Sequence, residues 1–330
     1  MYFSARDIIR NTTLQNDLKD INSGKPSVKT LKGDSRYSTA TAISQEGWPN
    51  GSDTVVITSA NSIVDGVTAT PLATIYDAPI LLSDKNTLTD YTKNELTRLK
   101  PNKVIVIGGD SVVSNFVINE LKTILPNEEI NRVGGIDRYE TSLKIAKEID
   151  ALNPVKRIYV AGGYGEVDAL SIASKAGEEK QPIILMPKNN VDANSYSWLK
   201  SKDLEDAYFI GGNAVLDDNV LVKINGITSN NVLNNRVYGS ERQDTNAKVI
   251  EKFYISSNYD KIIVTKSNPL VDALTAGPLA AKLKSPIVIL GGSVSQTQKN
   301  VLEPKKANLV YEVGGGINQE AVKNITELLK

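Results

Sequence analysis

The chain has 330 residues, 40% of them hydrophobic and 23% charged, with 38 basic and 38 acidic side chains and zero formal charge. That is a globular composition long enough for two or three domains, and it supplies no overall basic field to draw nucleic acid or a membrane surface. The sequence contains no Cys and no His, which excludes a disulfide framework, a thiol nucleophile, a Ser-His-Asp triad and imidazole-ligated metal, so no metal or other cofactor is expected.

Residues 1–26 read as an extension that links or straps the rest. Arg6, Asp7 and Arg10 stand where a secretory leader needs an apolar core. The expectation is therefore a cytosolic protein or a mature fragment and not an intact precursor. No apolar run approaches the ~18 residues of a membrane span, and no membrane insertion is expected.

From residue 27 onward the chain repeats itself. The pattern "SIVDGVTATPLATIYDAPILL" returns as "GEVDALSIASKAGEEKQPIIL" and "PLVDALTAGPLAAKLKSPIVI". Asp65, Asp168 and Asp272 are 103 and 104 residues apart, and so are Pro79, Pro182 and Pro286. Gly108-Gly109, Gly211-Gly212 and Gly314-Gly315 keep a step of 103, and Arg36, Arg138 and Arg242 steps of 102 and 104. A period near 100 is a whole small domain and not a solenoid unit. The expected domains are 27–126, 129–229 and 234–330.

In the first copy, Thr54–Thr58 reads as a strand and Asp65–Tyr76 as a helix, followed by a strand at Pro79–Ser83 and a helix at Leu88–Leu99. A strand at Lys103–Ile107 and a helix at Val112–Leu125 complete it. Near-continuous apolar strands between helices imply a parallel sheet covered on both faces. Each copy also opens on a strand-like segment, such as Arg132–Gly135, before a helix that begins near Asp137. The expectation is an α/β protein of three tandem, small, doubly wound domains, each with four strands and four helices. Asp65, Asp168 and Asp272 would cap helix N-termini. The small residues behind them would let the helix lie close to its sheet.

Several motifs bear on chemistry. The Gly-Gly turns lack the Lys-Ser/Thr of a P-loop and the third Gly of a dinucleotide fingerprint, so they read as tight turns. "AGGYGE" (Ala161–Glu166) has no Gly pair in its counterparts, so a nucleotide site there would serve one copy only. One repeated Asp and one repeated Arg make no acid–base pair. The three Arg have two readings. Each pairs within its own domain with Asp34, Asp137 or Glu241, or each presents its guanidinium to an acidic ligand. Lys85 and Lys188 lie six residues after Pro79 and Pro182, while the third copy has Gly292. With 6% aromatic residues, an anionic polymer held by dispersed Arg and Lys fits better than stacked neutral sugars.

"DRYETSLKIA", "PILL" and the strand-plus-"GG" turn, three times over about 300 residues, resemble the clostridial cell wall binding type 2 repeat. The resemblance implies Rossmann- or Toprim-like modules about a pseudo-threefold axis. It also implies an extracellular place at the Gram-positive wall or S-layer, and non-covalent anchoring to an anionic, teichoic-acid-like secondary polymer. The binding associated with "PILL" carries over to Pro79, Ile80, Leu81 and Leu82. Its altered forms begin at Pro182 and Pro286. Arg-Tyr is kept at Arg36-Tyr37 and Arg138-Tyr139 but reads Arg242-Gln243 in the third copy, which is therefore expected to bind most weakly. The reading is a non-catalytic anchor with Arg36, Arg138, Arg242, Lys85 and Lys188 as its cations. The rivals are a cytosolic sugar-phosphate or nucleotide enzyme, and an S-layer subunit whose modules contact other S-layer proteins.

Overall fold

The computed structural model describes residues 24–330; of the expected extension, residues 1–23 lie outside the described residues. Strand β1 (Ser27–Leu31) leads into helix α1 (Arg36–Gly47). Then come β2 (Thr54–Ser59), a single 3-10 turn (Gly66–Thr68), α2 (Thr70–Ile75), β3 (Ile80–Ser83), α3 (Asp90–Leu99), β4 (Lys103–Ile107) and α4 (Asn115–Ile124). The second repeat runs β5 (Glu129–Val133), α5 (Arg138–Leu152), β6 (Arg157–Gly162), α6 (Glu166–Glu179), β7 (Ile183–Met186), α7 (Ala193–Lys200), β8 (Asp206–Ile210) and α8 (Asp218–Asn225). The third runs β9 (Arg236–Val237), α9 (Arg242–Phe253), β10 (Asn258–Lys266), α10 (Val271–Lys282), β11 (Ile287–Leu290), α11 (Gln296–Leu302), β12 (Lys306–Val313) and α12 (Gln319–Leu328).

The fold is α/β, with three parallel four-stranded sheets in the orders β3-β2-β4-β5, β7-β6-β8-β9 and β11-β10-β12-β1. The central strands are buried on both faces, as the runs "TVVIT" and "VIVI" require; Val55, Val56 and Ile57 are inaccessible to solvent. The expected helix at Asp65–Tyr76 is broken into the 3-10 turn and the short α2, whose Pro71 sits in the first turn where a missing N–H costs nothing.

The sheets do not follow the repeats. Each repeat's opening strand was expected in its own sheet, but β5 completes the first sheet and β9 the second. β1 pairs with β12 of the third, with Ser27 opposite Leu309 and Leu31 opposite Val313. After the lent strand, the chain crosses back, and α1, α5 and α9 pack on β3, β7 and β11 of their own repeats. The exchange is cyclic and closes on itself. Gly108, Gly211 and Gly314 donate their backbone N–H to Val133 O, Val237 O and Leu31 O at 2.9, 2.9 and 3.0 Å, tying every lent strand to its host.

The centre of the molecule is where α2, α6 and α10 pack on one another. Small side chains make this possible. A methyl group on Gly177 would come within 2.9 Å of Thr74 Oγ1 and Ala281 Cβ at once, and one on Gly277 would collide with Thr70. Gly177 and Gly277 therefore serve helix-to-helix contact between repeats, while α6 and α10 also pack on the strands of their own repeats.

Candidate functional site

The parallel strands end together on one side of each sheet, and the loops there carry the repeated polar residues. In each sheet two neighbouring strands (β2 and β4, β6 and β8, β10 and β12) send their following chain to opposite edges. Ligands of open α/β sheets bind in the crevice this leaves. The second strand of each pair runs into the Gly-Gly turn, whose first glycine has φ of 111° at Gly108, 116° at Gly211 and 97° at Gly314. Only glycine takes that conformation without strain.

Asp65, Asp168 and Asp272 stand opposite these turns. None gives a side-chain capping hydrogen bond: Asp65 stands at the N-cap position of the 3-10 turn without one, and Asp168 and Asp272 lie inside the first turns of α6 and α10. Each carboxylate is aimed at the glycine of the turn. A side chain on Gly108 or Gly211 would meet Asp65 Oδ2 at 3.2 Å or Asp168 Oδ2 at 2.7 Å, and one on Gly314 would press on Asp272 still more closely. Burial raises all three carboxyls above their ordinary range, Asp168 to about 6.

An arginine of the next repeat faces each acid, joined at Asp272 by Lys266 of its own repeat. Burial sets the direction of the shift, and the opposing fields come from Arg138 at Asp65, from Arg242 at Asp168, and from Lys266 and Arg36 at Asp272. The pairing follows the strand exchange. A lent strand carries its repeat's first helix to the neighbour's strand ends, and the Arg is the first residue of that helix. The helices start where the sequence places their caps, Ser35 in a reciprocal capping box and Asp137 accepting from Glu140 N at 2.8 Å. Of the two readings of the arginines, the pairing with Asp34, Asp137 or Glu241 is not made among the described residues; Arg138 pairs instead with Glu166 of its own repeat at 3.5 Å.

The three joins differ. Arg36 donates from Nη1 to Ala60 O at 2.6 Å, and Arg138 to Gly163 O at 2.5 Å, so both are partly committed to their own repeat's first loop. Arg138 also lies 4.3 Å from the Tyr164 ring. Arg242 is exposed and its guanidinium makes no hydrogen bond among the described residues; its neighbour Gln243 reaches Ser267 Oγ at 3.3 Å instead. Around the acids, Thr141 offsets part of the burial penalty at Asp65, and Lys266 Nζ lies 4.0 Å from Asp272. The carboxylate of Asp168 accepts no hydrogen bond among the described residues and lines an open cavity of about 310 Å³ with Tyr164, Glu166, Glu241, Arg242 and Thr245.

The remaining sequence candidates divide by exposure. Lys85 and Lys188 follow β3 and β7, are exposed, and make no ion pair among the described residues. Their backbone carbonyls accept from Ser114 N and Asp217 N at 2.8 Å each, which fixes the loops. Gly292 occupies the third position, and its carbonyl accepts from Asn318 Nδ2 at 2.7 Å. The "PILL" element is different. Ile80, Leu81 and Leu82 are each 1% exposed, and Pro79, Pro182 and Pro286 are buried. These residues are sheet core, with almost no side-chain surface open to solvent.

Two further residues escaped the sequence reading. Arg132 donates to Gly108 O and Val113 O at 2.8 and 2.6 Å, and Arg236 to Gly211 O and Leu216 O at 2.8 Å each, so each clamps a Gly-Gly turn of the preceding repeat. The available signal was the repeated Arg-Val before "GG" and "YG"; the first repeat breaks it with Thr30.

The cell wall binding domain 2 (CWB2) family pattern matches residues 30–118, 132–221 and 236–321. The N-acetylmuramoyl-L-alanine amidase LytC of Bacillus subtilis (strain 168) is 28% identical over 289 residues, which are 87% of this chain and 55% of that protein. The amidase enhancer of the same organism is 30% identical over 285 residues, 86% of this chain and 37% of that protein. Among solved structures, Cwp6 from Clostridium difficile superposes with a TM-score of 0.90 at 46% identity, covering 93% of this chain and 48% of its own. Cwp8 from the same species gives 0.85 at 37% identity, covering 96% of this chain and 54% of its own. The chain thus spans about half the length of most of these relatives.

Proposed function

The chain belongs to the cell wall binding domain 2 family and is a cell-wall-associated surface protein, and from that premise we propose that it holds its protein to the wall non-covalently through an anionic secondary polymer. The observation that carries this reading is that the family pattern recurs in all three repeats, each presenting the same strand-end crevice. Residues 27–126, 129–229 and 234–330 act as three binding units. Weak contacts made three times along a repetitive polymer compound through avidity, without any single tight site.

Lys85 and Lys188 supply the cations for its anionic links, because they are exposed and make no ion pair among the described residues, while Arg242, exposed beside Asp168, contacts the polymer as a hydrogen-bond donor. Their attraction is local, since the whole chain carries no net charge. These repeats perform no catalytic step. The sequence has no His or Cys, and no cluster of acids among the described residues would hold a metal ion. Amidase activity in the relative LytC is therefore not carried over to this stretch. No helix among the described residues is long and apolar enough to cross a membrane; attachment is to the wall polymer and not to lipid or nucleic acid.

The test is retention on purified Gram-positive walls before and after acid extraction of the secondary polymer. Binding that disappears with the polymer supports the reading; equal binding to extracted walls rejects it.

A further inference from the structure

The three acid–arginine joins are built alike, but the one between the second and third repeats is open. Asp168 is 8% exposed and its carboxylate accepts no hydrogen bond among the described residues, whereas Thr141 serves Asp65 and the ammonium of Lys266, held by Gly315 O, stands 4.0 Å from Asp272. Its carboxylate oxygens are open to the cleft, where no described residue donates to them. Asp168 faces an opening of about 310 Å³, at the lower end of the ~300–1,000 Å³ typical of small-ligand sites. The opening lies at the ends of β6 and β8, where the strand order reverses.

The lining selects the chemistry. Glu166, Asp168 and Glu241 set three carboxylates against the single guanidinium of Arg242. A phosphate or carboxylate would meet net repulsion, so the anionic links of a polymer belong outside, near Lys85 and Lys188. What the cleft lacks is hydrogen-bond donors for Asp168. Neighbouring hydroxyl groups supply two such donors at a spacing that suits the two oxygens of one carboxylate. Tyr164, 77% exposed and held against Arg138, forms part of the wall and offers an aromatic surface to the C–H face of a ring.

We propose that the cleft between the second and third repeats is a saccharide subsite, in which Asp168 accepts from two neighbouring hydroxyls of a pyranose ring, Arg242 donates to an oxygen of the same ring, and Tyr164 covers its apolar face. This rests on the wall-polymer reading and deepens it. Charged links of the polymer meet surface lysines, and one neutral sugar enters the cleft. The other two joins are structural.

The test is saturation-transfer NMR of the chain with methyl α-D-glucopyranoside and methyl N-acetyl-β-D-glucosaminide, with inorganic phosphate as the anionic contrast. The wild type should transfer saturation to at least one glycoside, unaffected by excess phosphate. Asp168→Asn and the surface variant Tyr164→Ala should each weaken the signal at least tenfold, and Asp65→Asn should leave it unchanged, with folding followed by circular dichroism. Equal signals from wild type, Asp168→Asn and Tyr164→Ala would overturn the assignment, as would displacement by phosphate. Retention of wild type on purified walls is measured in parallel. Wall retention without glycoside transfer rejects the subsite and leaves the anchoring role; glycoside transfer lost in both variants without wall retention supports the subsite and rejects the anchor.

Discussion

The hydroxyl of Tyr254 donates to Ser174 Oγ at 2.8 Å, and Ser174 Oγ donates onward to Ser285 O at 2.8 Å. The relay joins the end of α9 to the central helix α6 and to the start of β11, across the boundary between two repeats. It is fully buried, so its two members are not equivalent. Tyr254→Phe removes one bond and leaves Ser174 satisfied, costing about 0.5–1.5 kcal/mol. Ser174→Ala strands a buried phenol and costs about 1–3 kcal/mol. Urea unfolding of both variants checks the order; a serine variant no weaker than the tyrosine variant contradicts it.

The lent strands make a second expectation. Removing residues 1–33 deletes β1 and leaves β12 without its outer partner. It also removes the acceptor of the Gly314 N–H and the Lys29–Glu46 ion pair at 2.6 Å. The truncated chain should unfold at lower urea and should self-associate through the bare parallel edge. Light scattering that shows a monomer of undiminished stability would count against the closed exchange.

Asp168 should make stability depend on pH in an unusual direction. Its folded-state pKa of about 6 lies above the ordinary 3.8, so the native state holds its proton more tightly than the unfolded chain. Stability from this group is fully present below pH ~4 and is lost as pH rises through about 6. Asp168→Asn keeps the neutral shape at every pH. The variant should gain on the wild type by an amount near zero at pH 4 that grows to the order of 2–3 kcal/mol above pH 7. A difference that does not change between those pH values refutes the assignment.

The Pro-aliphatic segment and the lysines after it should separate cleanly in a wall-binding assay. Leu81→Ala empties a fully buried site and should cost about 2–5 kcal/mol of stability, while the fraction that remains folded binds walls normally. Lys85→Ala with Lys188→Ala should leave unfolding unchanged and weaken retention by about 0.5–1 kcal/mol per contact. Added salt should do the same. Loss of wall affinity in folded Leu81→Ala would return that segment to the binding surface.

The periodicity carried a great deal of this structure. The steps near 103 residues located the repeats, and the runs at Thr54–Thr58 and Lys103–Ile107 located central strands, because parallel strands buried on both faces must be apolar throughout. The sheet to which a strand belongs was not legible. "RVGG" has the same pattern whether Arg132 and Val133 join the sheet before or after them, and only the packing of the crossover decides. The Asp–Arg relation was hidden for the same reason. Arg138 stands beside Asp137 in the chain, but its field acts on Asp65, 73 positions earlier. "PILL" shows a different limit: a repeated signature identifies a family equally well when it is core and when it is surface.

The strand exchange closes so near the chain's two ends that Lys25 Nζ and Glu327 Oε1 are 3.2 Å apart. A circle whose every member lends its opening strand to the one before it has no member that is intrinsically first. Joining residue 330 to residue 24 through a short linker and reopening the chain between α4 and β5, or between α8 and β9, would keep every strand pairing described above. The same closure forbids inserting or deleting a single repeat, since two or four such units would have to meet at a different angle around helices whose glycines are already in contact.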